Sequence, residues 1–331
     1  MKVKQILTAT ALLGAAAVTA QARLIERRSV SSKVLAGLMR LQPKKMFSPY
    51  KHAENLVTYE YFAEKNAKPW QMNQQFKAKY HAIMSSTYPS TYEFHGRYHD
   101  NRYTVIYLHG GRFWNQPQAM QIRFARKLAD TLSGTVLMPI YPLAPNYDYQ
   151  DVLTSLERLY REVLKTVDPA KLIIIGDSAG GGLALTLAEA LKEWDLPQPK
   201  NIVALSPVLD VGLTNDEIRY YEAADPVLDR YSLQVMMGHY YAHNTVTTDW
   251  HVSPLYGDVT GLGRLTIFVG TRELLYPDAV KFREKAKQAG VDIDFFDYPY
   301  MMHNFFSLPL PETDQAFDQL IFVLEQPLAI G

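Results

Sequence analysis

The apolar run Leu172-Ile173-Ile174-Ile175 stops at Gly176-Asp177-Ser178-Ala179-Gly180-Gly181-Gly182, and a helix-like run, Leu183-Ala184-Leu185-Thr186-Leu187-Ala188, follows. This stretch constrains the fold more than any other. A continuous apolar, β-branched run ending at a glycine reads as a strand buried on both faces, and such a strand needs cover on both sides of its sheet. Strand, sharp turn and helix in that order are the setting in which G-x-S-x-G raises a serine above a sheet edge as a nucleophile. A residue at the tip of that turn has strained backbone angles, and small neighbours leave room for closely packed chain. The helix that follows aims its unpaired N–H groups at Ser178. Taken alone, the motif also suits a glycine-rich turn with an incidental serine.

The alternation continues along the chain. Strands are predicted at 91–95, 103–108, 135–140, 172–175, 202–205, 265–269 and 291–298, with helices at 117–132, 150–165, 277–289 and 313–325 besides the one after Ser178. Strands separated by helices predict an α/β protein with a mostly parallel central sheet and helices on both faces. Residues 24–90 and 212–260 fit this alternation worst. They are expected to form a helical cap over the C-terminal strand ends, where such sheets keep their ligands. In the first segment, apolar residues three or four apart between Leu24 and Leu41 predict an amphipathic helix packed on the body, and 42–82 reads as further helical pieces.

Composition removes several function classes. A formal net charge of zero leaves no basic field to draw nucleic acid. The absence of cysteine excludes disulfides, a cysteine nucleophile and thiolate metal sites. At the start, Lys2 and Lys4 precede an uncharged apolar stretch from Ile6 to Val18, then Ala20-Gln21-Ala22. That order predicts a signal peptide over 1–22, cleaved after Ala22, with an exported body at 23–331. The apolar stretch is shorter than the roughly 20 residues a membrane-spanning helix needs, so no stable membrane span is expected after cleavage. An uncleaved N-terminal anchor is the alternative.

Three further stretches supply what a serine nucleophile requires. His109-Gly110-Gly111-Arg112 follows strand 103–108, and consecutive glycines at a strand end can turn their N–H groups toward a ligand. With the N–H of Ala179, Gly110 and Gly111 give an expected oxyanion hole of up to three donors. His109 is expected to hold this loop by a structural hydrogen bond. His303 follows the last strand, at the same sheet edge as Ser178, and is the expected general base. The acid that orients it is expected after strand 265–269: Glu273, or its rival Asp278, which would otherwise sit as a favourable acidic residue at a helix start. The order Ser178, Glu273, His303 is that of the α/β-hydrolases. His239 and His243 share helical spacing but lack the glutamate of a zinc-binding HExxH pair.

These stretches resemble the hormone-sensitive-lipase-like branch of the α/β-hydrolases, the bacterial α/β-hydrolase fold-3 carboxylesterases. The matching segments are HGG at 109–111, Tyr141-Pro142-Leu143-Ala144-Pro145, GDSAGG at 176–181, Ser206-Pro207-Val208-Leu209-Asp210, GTRELLYPDA at 270–279 and the His303 loop. The resemblance implies Ser178, Glu273 and His303 as catalytic triad, Gly110, Gly111 and Ala179 as oxyanion hole, an N-terminal cap, and hydrolysis of short acyl esters with no cofactor and no metal. Two positions depart from the pattern. Relatives often carry a third glycine where Arg112 stands, and usually an Asp where Glu273 stands. The expected activity is that of an exported serine carboxylesterase acting on small ester substrates. A deacetylase of a polysaccharide or other acyl conjugate, and a catalytically silent binding protein of the same fold, are the alternatives.

Overall fold

Strand Leu172–Asp177 lies inside the sheet with every residue buried. The computed structural model describes residues 14–41, 56–85, 89–98, 102–291 and 293–327. Lys2, Lys4, most of the leader's apolar stretch and the first part of the 42–82 reading lie outside the described residues. Among the described residues one sheet contains β1 Ile83–Ser85, β2 Thr91–His95, β3 Thr104–Leu108, β4 Thr135–Pro139, β5 Leu172–Asp177, β6 Asn201–Leu205, β7 Arg264–Gly270 and β8 Ile293–Tyr298. Their order across it is β1-β2-β4-β3-β5-β6-β7-β8. From β4 to β8 all neighbours run parallel, and β1 and β2 are antiparallel additions at one edge. Strand β1 falls where the sequence suggested cap. Three residues are too few to show a two-residue period, and Ile83 is exposed.

The double-sided burial inferred from β5 is realised residue by residue. Leu172 and Ile174 pack with the helices Tyr149–Val163, Ala179–Glu193 and Tyr276–Gln288 on one face. Ile173 and Ile175 pack with Ala119–Leu132 and Pro311–Glu325 on the other. The parallel register sets Leu108 beside Gly176, Asp177 beside Leu205, and Gly270 beside Tyr298. Loops after β3, β5, β7 and β8 therefore leave the sheet at one edge, which is what brings the chemistry-bearing residues together.

Two close approaches shape that edge. A Cβ on Gly180 would lie 2.0 Å from the Leu108 carbonyl oxygen, so only glycine lets the helix start against the end of β3. Ser178 itself has φ 55° and ψ −120°, a strained conformation costing about 1–3 kcal/mol. The four fully buried side chains of 172–175 each contribute about 1.5–3 kcal/mol. Even discounted for a compact unfolded chain, burial of the strand outweighs the strain of the turn it supports.

The helix predicted between Leu24 and Leu41 is divided: a π-helical segment Gln21–Ile25, in which Ala22 is fully buried, precedes the α-helix Val30–Leu41. Its inward residues are Ser32 and Ala36, whereas Val34, Leu38 and Leu41 are exposed. Polar anchors rather than the apolar stripe set its rotation. Ser29 N and Ser29 Oγ donate to Glu312 at 2.5 and 2.9 Å, and Ser32 Oγ donates to Glu312 at 3.0 Å. Glu26 pairs with Arg28 and Lys33 beside them. Among the described residues no helix is long and apolar enough to cross a membrane.

One buried acid should make stability depend on pH. Glu189, in the helix after Ser178, is 5% exposed, and neither carboxyl oxygen has a hydrogen-bond partner. Burial pushes it from an ordinary 4.5 up to about 9, against the pull of Lys285 and Lys192. The folded state thus keeps a proton that the unfolded chain releases, so the Glu189 contribution to stability is fullest below pH 4.5 and is lost as pH rises toward 9. Urea melts should show Glu189→Gln gaining about 1–3 kcal/mol at pH 8 and almost nothing at pH 4. An unchanged pH slope in this variant would count against the assignment.

Candidate active site

The elbow is held from three sides. Ser178 N donates to Leu205 O at 2.8 Å, while Ser178 O accepts from Gly181 N, Gly182 N and Val208 N at 3.0, 3.1 and 3.0 Å. The side chain is thereby committed to one direction. Ser178 Oγ lies 2.9 Å from His303 Nε2, and His303 Nδ1 lies 2.6 Å from Glu273 Oε2. A carboxylate only accepts, so Nδ1 carries the proton and Nε2 is left as the acceptor for the serine hydroxyl. All three residues are buried, Glu273 completely.

The loops after β7 and β8 are laced to each other, which explains how residues 30 positions apart meet. Thr271 N donates to Tyr298 O at 3.0 Å, Arg272 N to Met301 O at 2.9 Å, and Tyr300 N to Thr271 Oγ1 at 2.9 Å. The extra methylene of Glu273 is accommodated by folding back over the strand end. Its Oε1 accepts from Gly270 N at 2.6 Å and from Ser206 Oγ at 2.9 Å. Asp278 does not reach His303. It is buried in the first turn of Tyr276–Gln288, where its Oδ1 accepts from Asn215 Nδ2 at 3.0 Å. Burial raises it from 3.8 to about 6.

The loop after β3 differs from expectation in one donor. Gly110 N donates to Asp177 Oδ1 at 2.9 Å. That N–H is committed to the acid beside the nucleophile, so the expected set of three oxyanion donors reduces to two. Among the described residues the amides of Gly111 and Ala179 meet no acceptor, Ala179 because it begins a helix. Gly110 is needed for closeness instead: a Cβ there would lie 2.6 Å from Asp177 O and 3.0 Å from Ser178 Cβ. Arg112, in place of a third glycine, adopts φ 61° and so accepts a left-handed conformation costing about 1–2 kcal/mol. The neighbouring aromatics fix this loop from above: Phe113 stacks on Tyr241 at 3.6 Å, and Trp114 Nε1 donates to Met236 O at 2.9 Å.

His109 holds the loop as expected, with Nδ1 2.9 Å from Gly110 O and its ring stacked on Tyr141. Complete burial lowers it to about 4, so it is neutral in the working range and Nδ1 is the donor. Sequence reasoning gave no role to the acid at its centre. Asp177 accepts from Tyr107 OH at 2.7 Å, from Gly110 N, from Gln121 Nε2 at 2.9 Å, and more loosely from Asn304 Nδ2 at 3.4 Å. Its place inside GDSAGG was a usable signal. Nothing in the sequence pointed to Gln121, and Ser206, though it opens a segment shared with the resembling family, had no role assigned to it.

A cavity of about 350 Å³ opens onto Ser178 and His303. Met39, Met120, Val227, Leu228 and Leu308 supply apolar lining, and Arg112, Asn115, Gln118 and Asn304 supply polar lining. Met39 comes from the first segment expected to cap the sheet, Val227 and Leu228 from the second. The tyrosines at 220, 221, 231, 240 and 241 do not line it.

The geometry is matched by the comparisons with known proteins. The model of a family with the α/β-hydrolase fold matches residues 105–307. An esterase of Acinetobacter venetianus is 34% identical over 215 residues, covering 64% of this chain and 71% of that protein. An acetyl-hydrolase of Streptomyces hygroscopicus is 31% identical over 219 residues, covering 65% and 73%. A crystal structure of a candidate esterase from Staphylococcus aureus superposes with a TM-score of 0.81 at 25% identity, covering 89% of this chain and all of the other. A hormone-sensitive lipase from a metagenome library shares the fold, with a TM-score of 0.74 at 22% identity over 90% of this chain and 98% of its own. The chain belongs to this α/β-hydrolase fold family.

The two carboxylates make the acid assignment testable. Glu273→Gln should lower kcat by about 10³–10⁴-fold, because the amide cannot hold the reactive tautomer or stabilise imidazolium. Asp278→Asn should keep its turnover, with p-nitrophenyl butyrate as substrate for both. The opposite ranking would transfer the role to Asp278.

Proposed function

We propose that this protein is a serine carboxylesterase that cleaves short acyl esters through an acyl-Ser178 intermediate. The observation that carries the reading is the unbroken chain Ser178 Oγ, His303 Nε2, His303 Nδ1, Glu273 Oε2, with its contacts at 2.9 and 2.6 Å. His303 takes the hydroxyl proton as Ser178 Oγ attacks the ester carbonyl, and Glu273 stabilises the imidazolium that results. The Gly111 and Ala179 amides meet the developing oxyanion. His303 then returns the proton to the leaving alcohol, and a water activated by the same nitrogen releases the acid. No step calls on a cofactor or a metal.

Size favours small substrates. About 350 Å³ is near the lower end of ligand cavities, roughly 300–1,000 Å³. The polar lining around Arg112, Asn115 and Gln118 suits the alcohol side of an acetylated conjugate, and the acetyl-hydrolase relative favours that second reading. Export by the leader at 1–22 would bring the enzyme to such conjugates. The basic start, the apolar stretch and Ala20-Gln21-Ala22 support that localisation.

In a series of p-nitrophenyl esters, acetate and butyrate should be turned over at least about tenfold faster than dodecanoate, each misplaced methylene costing on the order of 1 kcal/mol. Ser178→Ala should lose roughly 10⁴-fold or more in kcat and all labelling by a fluorophosphonate, with an unchanged circular dichroism spectrum. Normal turnover by that variant would end the acyl-serine reading.

A further inference from the structure

Outside the triad, one fully buried acid joins the cavity wall to the turn that carries Glu273. Asp225 lies in the turn Ala224-Asp225-Pro226-Val227-Leu228, after the short helix Ile218–Glu222. Its side chain is 0% exposed. Oδ1 accepts from Val227 N at 2.7 Å and Leu228 N at 3.0 Å, and Oδ2 accepts from Leu274 N at 2.8 Å. Val227 and Leu228 line the cavity above Ser178 and His303, and Leu274 directly follows Glu273. We propose that Asp225 is a positioning residue that ties this cavity wall to the turn carrying the Glu273 carboxylate, an inference that rests on the triad reading above.

The chemistry of the position calls for a carboxylate. Three N–H donors converge from two segments, and an ionised acid is the one side chain whose two oxygens both only accept. Asparagine would set an N–H group against an N–H. Burying a charge is costly unless it is compensated, and three charge-assisted bonds supply the compensation. Burial raises the Asp225 carboxyl above its ordinary value, while the His303 imidazole and the three amides draw it part of the way back. Pro226 contributes no N–H, so the two amides beyond it close on Oδ1 without competition. The N-terminal helix reaches the same turn, with Arg40 Nη2 donating to Ala224 O at 3.2 Å. Cavity wall, acid turn and N-terminal helix thus share one anchor. A displacement of about 1 Å at the reacting groups can cost on the order of 10²-fold in rate, so loosening this anchor should be felt at Glu273.

The test compares wild type, Asp225→Asn and Asp225→Ala in the full chain. Active sites are counted by complete fluorophosphonate labelling, and kcat and KM are measured with p-nitrophenyl acetate, butyrate, hexanoate and octanoate. The amide oxygen of Asn can still serve the two-donor side at Val227 and Leu228, but its NH2 faces Leu274 N. Asp225→Asn should therefore lose about 10–100-fold in kcat per labelled site with its acyl-length profile unchanged. Asp225→Ala loses both ends, so its kcat should fall likewise and its acyl-length optimum should move. Should the Ala variant fail to fold, Asp225→Asn decides alone. A folded Asp225→Asn with wild-type kcat per labelled site overturns the proposal, as does a loss confined to the number of labelled sites. A wild type that neither labels nor turns over ester brings down the triad reading, and this proposal with it.

Discussion

The Asp177 carboxylate is the interaction on which the reacting centre depends. Its four donors stand on four segments: Tyr107 on β3, Gly110 on the loop after it, Gln121 on the helix Ala119–Leu132, and Asn304 beside His303. Asp177 itself ends β5 and precedes the nucleophile. One buried charge therefore fixes the oxyanion loop, the elbow and the base loop relative to one another. Leaving any of these donors unpaired in a dry interior would cost about 1–3 kcal/mol. That is comparable to the strain of Ser178, so the network and the elbow are matched in scale rather than one being a detail of the other.

The same network explains why the Gly110 N–H is not free to face a substrate. Two successive glycines offer two N–H groups, but the sequence does not say which faces a substrate. Asp177 decides it by taking the first. Gly111 and the helix-initial Ala179 remain. A division of labour follows, with Gly110 setting how closely the loop approaches Ser178 and Gly111 setting what it offers there. Arg112 and Phe113, both left-handed at φ 61°, complete the turn without the third glycine. The stacking of Phe113 on Tyr241 and the bond from Trp114 to Met236 supply the compensation that glycine would have made unnecessary.

What was legible in the sequence divides along physical lines. Buried parallel strands announce themselves because both faces are apolar, so β3 to β7 were found to within a residue or two, and the order of the loops placed Ser178, Glu273 and His303 at one edge. Strand β1 escaped because an exposed three-residue edge strand has no burial pattern to read. The N-terminal helix was legible as a helix but not in its rotation. Apolar spacing assigned Val34 and Leu38 to the interior, whereas three hydrogen bonds to Glu312 turned Ser32 inward instead. Gln121 and Asp225, and the role of Ser206, were out of reach for a different reason. Each acts by completing the hydrogen bonds of a residue far away in sequence, and no local pattern encodes such a partner.

That difference bears on where specificity resides. Ser178, Glu273 and His303 follow β5, β7 and β8; β5 and β7 are fixed by deep apolar burial, and in β8 only Tyr298 is buried. The cavity above them is assembled from Met39 on one segment and Val227 and Leu228 on another, neither of which belongs to the sheet. These pieces are oriented by polar contacts, Glu312 to Ser29 and Ser32, Arg40 to Ala224 and Asp225 to Leu274, added in the second segment to an apolar packing that buries Leu228, Met236 and Met237. Hydrogen bonds of this kind fix orientation sharply while adding little net stability, about 0.5–1.5 kcal/mol each. A change in one of them can therefore reshape the space over Ser178 while leaving the strands beneath it intact.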